Sequence, residues 1–69
     1  MAINPPHGKM DQANPDLANR LRDLIDRGAL GTVEEGVTRI AIENGPEALS
    51  PKQRDVFEWF VLNRHGLSG

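Results

Sequence analysis

His7 and His65 are the two imidazoles of a 69-residue chain that contains no cysteine. Any general base or nitrogen ligand for a metal has to be sought there first. Neither has a serine and a carboxylate close by in the order nucleophilic catalysis uses. A metal site needs three or four converging ligands, and His65 with a distant glutamate does not make one. Without cysteine there is no thiolate site, no disulfide and no thiol nucleophile. Asp23 with Asp26, and Glu34 with Glu35, are paired carboxylates only by sequence. They fall on solvated helix faces or in first turns, where acids favour the helix dipole. Gly28 and Gly31 flank Ala29-Leu30 and fit neither GxGxxG nor GxxxxGK. These residues predict a protein that is not an enzyme and binds no cofactor or metal.

Composition narrows the classes further. Ten acidic and eight basic side chains give a net charge of −2, with 38% hydrophobic and 26% charged residues. That is globular rather than disordered composition, and it argues against a protein built mainly to neutralise phosphates. The chain is too short for a second domain, and a single core this small contributes ~3–5 kcal/mol at best. The opening MAINPPHGKMDQA has no apolar run of the kind a secretory leader carries. The longest apolar stretch, Trp59 to Leu62, is far below the ~20 residues of a membrane span. The expectation is a soluble, cytoplasmic protein of bacterial type.

The spacing of apolar residues predicts an all-α fold, a small three-helix bundle over residues 14–66 behind a disordered N-terminal tail, residues 1–13. Asn4-Pro5-Pro6-His7-Gly8 combines breakers and turn formers, which suits a tail. The first helix starts at the Asn14 cap with Pro15 at its first position, and Leu17, Leu21, Leu24 and Ile25 recur at helical spacing. Asp16–Arg20 and Asp23–Arg27 are acid-before-base pairs at i, i+4, and Gly28 closes the helix. The second helix opens on Thr32 with Glu35 in capping-box spacing and shows Val33, Val37, Ile40 and Ala41 on one face. Residues 37–42 are β-branched enough to read as helix or strand, and helix is preferred because a lone strand has nothing to pair with. The third helix starts at Ser50-Pro51 with Gln53 closing a capping box, and it runs to about Arg64 before a Gly66 cap. The predicted core is Leu17, Leu21, Leu24, Ile25, Leu30, Val33, Val37, Ile40, Val56, Phe57, Phe60 and Val61.

The third helix is too apolar for a helix with one wet face. Val56, Phe57, Phe60 and Val61 form one broad stripe, while Trp59 and Leu62 project outside it. Either that helix is buried on most sides, or Trp59 and Leu62 make a docking spot for another protein or for a second copy. Ile42, opposite the expected core face of the second helix, is the candidate second part of such a patch. Tryptophan is enriched among interface hot spots, which supports the docking alternative.

From Leu49 the chain reads LSPKQRDVFEWFVLNRHGLS. This is similar to the opening of the C-terminal helix-turn-helix region of sigma factors and related bacterial regulators. There an L-x-P-x-Q-R-x-V-F segment starts one helix and a G-L-S turn follows. The interval from Gln53 to Gly66 is about two residues longer than that pattern, and a sequence ending at Gly69 is not expected to put a recognition helix into a major groove. The resemblance implies a truncated helix-turn-helix-like segment, with Lys52, Arg54 and Arg64 as candidate nucleic-acid contacts. Asp55 and Glu58 interrupt those cations, so a non-enzymatic protein-interaction or regulatory module is the leading expectation, and nucleic acid the less favoured partner.

Overall fold

The computed structural model describes residues 8–67. Within them the protein is all-α, as the apolar spacing predicts. Helix α1 spans Lys9–Ala13, α2 Pro15–Asp26, α3 Thr32–Asn44 and α4 Pro51–Val56. A 3₁₀ turn at Pro46–Ala48 joins α3 to α4, and α4 runs without interruption into a π-helical segment at Phe57–Asn63. The three expected helices are therefore α2, α3 and the continuous last helix formed by α4 and the π segment. Residues 37–42 are helical, which resolves the helix–strand ambiguity.

Helix α1 departs from expectation. The breakers near the N-terminus place residues 9–13 in the tail, yet they fold into a helix whose Met10 is buried in the core. Residues 1–7 of the expected tail, His7 among them, lie outside the described residues. Two contacts seat α1. Arg22 of α2 grips both carboxylate oxygens of Asp11, one through Nη2 at 2.6 Å and the other through Nη1. Gly8, on the other side, lies so close to the end of α3 that an added Cβ would stand 2.4 Å from the Ile42 carbonyl oxygen. Asn14 then serves two helices at once. Its N–H donates to the Met10 carbonyl at 2.7 Å, and its side chain accepts from the Leu17 N–H at 3.2 Å.

The last helix starts as predicted. Gln53 N–H donates to Ser50 Oγ at 3.2 Å and Ser50 N–H donates to Gln53 Oε1 at 3.0 Å, which satisfies two orphan donors reciprocally. It ends at Gly66, whose φ of +70° favours a residue without a Cβ. There Leu67 N–H donates to Leu62 O at 2.7 Å and Gly66 N–H to Asn63 O at 3.2 Å. This pair of bonds satisfies the last carbonyls and folds Leu67 back against the core. Helix α3 is different. Its cap is Gly31 rather than Thr32, no side chain caps it, and Glu35 pairs with Arg39 at 3.3 Å instead of reaching back. The Asp23–Arg27 pair forms at 2.9 Å; the ion pairs of the described residues do not include Asp16–Arg20.

The core is built by Met10, Ala18, Leu21, Leu24, Val37, Ala41, Ile42, Leu49, Phe57 and Val61, with Leu17, Ile25, Leu30, Ile40, Val56, Leu62 and Leu67 packed around it. Two members of the predicted core are absent. Val33 is 64% exposed and Phe60 50% exposed. The buried face of α3 runs through Val37, Thr38, Ala41 and Ile42 rather than through Val33, Val37, Ile40 and Ala41. The cause is α1, which covers the Ile42 side of α3 and so turns that side inward.

Candidate protein-docking site

The last helix positions its side chains by a change of pitch. In an α-helix, residues three and four apart share a face. A π ladder closes on the fifth residue back and widens the turn to about 4.4 residues. Phe57, Val61 and Leu62, at i, i+4 and i+5, then lie together on the inner side. Phe57 and Val61 are buried and Leu62 is half-buried against the core. Trp59 and Phe60, between them, turn outward together.

Trp59 is 64% exposed, which fits a docking spot. Leu62 is turned inward. With Leu17, Pro46, Phe57 and Leu67 it lines a groove of about 420 Å³ whose rim carries Arg54 and Glu58. Ile42 is a core residue, 4% exposed, and stands apart from Trp59, because α1 covers its side of α3. Of the three residues expected to form the patch, only Trp59 stands on it. Its companion is Phe60, which a uniform 3.6-residue periodicity puts in the core. The signal that finds Phe60 is a surplus, because one helix face cannot take six large apolar residues within seven positions.

The charged candidates also sit on the last helix. Lys52, Arg54 and Arg64 are all exposed. Arg54 has Glu58 beside it, Nε to Oε1 3.9 Å, and Asp55 follows it directly. They therefore form no continuous basic face. Elsewhere, a shallow groove of about 290 Å³ between α2 and α3 is lined by Arg22, Ile25, Asp26, Arg39, Ile42 and Glu43. The Arg22 guanidinium there is held above its ordinary pKa, first by its hydrogen bond to Asp11, with desolvation opposing and the Asp11 charge adding. His65 is half-buried in the closing turn and lines a shallow groove together with Arg20, Asp23 and Arg27. Among the described residues no group of three or more His, Cys, Asp or Glu is placed to hold a metal ion. No helix among them is long and apolar enough to cross a membrane.

Comparison with protein-family models, with curated proteins and with solved structures gives no match for this chain.

Proposed function

We propose that this protein is a small non-enzymatic interaction module, regulatory in effect, that docks on another protein chain through the outward face of its last helix. The observation that carries the reading is the pair Trp59 and Phe60, 64% and 50% exposed side by side on a helix whose core-facing side is already filled. Large aromatics bury much area with few rotors to freeze, so they anchor interfaces at low entropic cost. A fold with so small a core also gains stability by mass action when a second chain covers such a face. A nucleic-acid reading has the exposed Lys52, Arg54 and Arg64 in its favour. It is the weaker of the two, because acids interleave with them and the net charge is −2.

The test compares the native protein with the Trp59→Ala/Phe60→Ala double variant. We expect the variant to unfold at nearly the native temperature while its association, with itself or with a foreign chain, weakens by ~2 kcal/mol or more. Equal association by both proteins contradicts the reading. A DNA mobility shift that falls steeply with salt supports the nucleic-acid alternative instead.

A further inference from the structure

The face around Trp59 has a symmetry in sequence that names its occupant. Asp55 precedes Trp59 by four residues, and Arg64 follows Phe60 by four. Asp55 lies in α4 and Arg64 caps the π segment Phe57–Asn63, so the two charges flank the stretch that carries the aromatic pair. Two α steps from Asp55 to Phe57 and two wider π steps on to Trp59 add up to about one full turn, and Phe60 to Arg64, three π steps and the closing turn, comes close to one as well. Asp55 and Trp59 thus share one row, and Phe60 and Arg64 share the next. All four are exposed. Neither Asp55 nor Arg64 has an ion pair or a side-chain hydrogen bond among the described residues, while Arg54 and Glu58 on the same helix face each other.

We infer that this face is covered by a second copy of the same chain, its last helix running antiparallel across a two-fold axis between Trp59 and Phe60. The inference rests on the docking reading above and gives the partner its identity. A two-fold interface presents the same patch twice, so a surface suits it only when its two ends complement each other. Here they do. Antiparallel alignment centred on the aromatic pair brings the Asp55 end of each copy level with the Arg64 end of the other. A parallel alignment brings Asp55 level with Asp55 and Arg64 level with Arg64, and like charges penalise it. The aromatics supply the buried area, and the flanking charges select orientation and register. A foreign partner explains the aromatics equally well but leaves the matched spacing of the two charges without a reason.

Sedimentation across a concentration series tests this with four proteins: native, Asp55→Arg, Arg64→Asp and the double reversal D55R/R64D. Both positions are exposed, and thermal melts check that each variant keeps its fold. We expect the native chain to dimerise, each single reversal to weaken the dimer by about tenfold or more, and the double reversal to restore it to near the native constant. Single reversals without effect, or a double reversal as weak as the singles, overturn the inference. Iodide quenching of Trp59 in the same samples separates the second copy from the docking face. A native chain that stays monomeric at every concentration with a freely quenched Trp59 removes the second copy and leaves the docking face. A Trp59 shielded in the dilute monomer removes the docking face itself.

Discussion

Phe57 and Phe60 stand three residues apart in one helix, yet Phe57 is 1% exposed and Phe60 50%. An α-helical turn puts two such residues on neighbouring parts of one face. The π segment separates them and gives one to the core and the other to solvent. Phe57→Ala should therefore cost about 3–5 kcal/mol and leave little folded protein. Phe60→Ala should stay within about 0.5 kcal/mol of the native stability. Urea unfolding followed by circular dichroism measures both, and similar losses for the two substitutions contradict the change of pitch.

The same helix shows where sequence periodicity stops being informative. Its start was legible, because the Ser50, Pro51 and Gln53 signals are local and their hydrogen bonds form within one turn. So were the Gly28 and Gly66 stops and the inner residues Leu21, Leu24, Val37, Phe57 and Val61. Phe60 was not, since any pattern scored at one fixed period assumes a uniform helix. Val33 and Ile42 exchanged places for a tertiary reason. Taking residues 1–13 as tail leaves nothing to cover Ile42, so the predicted core face of α3 turns Val33 inward instead. Met10 and Asp11 carried the missing signal, an apolar residue beside an acid, but five residues hold too little periodicity to stand out.

Thr38 is fully buried on α3, and its Oγ1 has no hydrogen-bond partner among the described residues. A buried hydroxyl without a partner costs free energy that an apolar group of the same shape does not. Thr38→Val should raise stability by ~1–2 kcal/mol, seen as a higher urea midpoint with an unchanged slope. A destabilised variant would show that the hydroxyl is bonded in solution.

The seat of α1 depends on the absence of a side chain at residue 8. A Cβ there would meet the Ile42 carbonyl oxygen at 2.4 Å and the Glu43 Cα at 2.6 Å, both fixed in the backbone of α3. Gly8→Ala should push α1 away and cost about 1–3 kcal/mol by overpacking. Amide exchange should rise first at Asn14, whose N–H is held by the Met10 carbonyl of α1. Unchanged exchange there shows that α1 does not dock on α3. The Asp11–Arg22 pair adds no titration of its own near neutrality from the arginine side. A raised folded pKa leaves that stabilisation fully present below the ordinary arginine value and removes it only in strong alkali.

Ser50→Ala removes the acceptor for the Gln53 N–H and breaks the reciprocal pair at the start of α4. The expected loss is about 1 kcal/mol. Gln53→Ala should cost less, because it leaves the Ser50 hydroxyl in place to accept the residue-53 N–H. Thermal melts of the two variants decide the order, and an unchanged melting temperature for Ser50→Ala places the helix start elsewhere.

The docking face stands or falls on the state of Trp59 in the isolated chain. It is the single tryptophan of the protein, so its emission reports on that one site without interference. In dilute solution Trp59 should emit as an indole in water, open to quenching by iodide, and move to the blue when a second chain covers the last helix. Emission from a shielded indole in the dilute monomer, together with loss of the fold in Trp59→Ala, would place the side chain in the core and contradict the account.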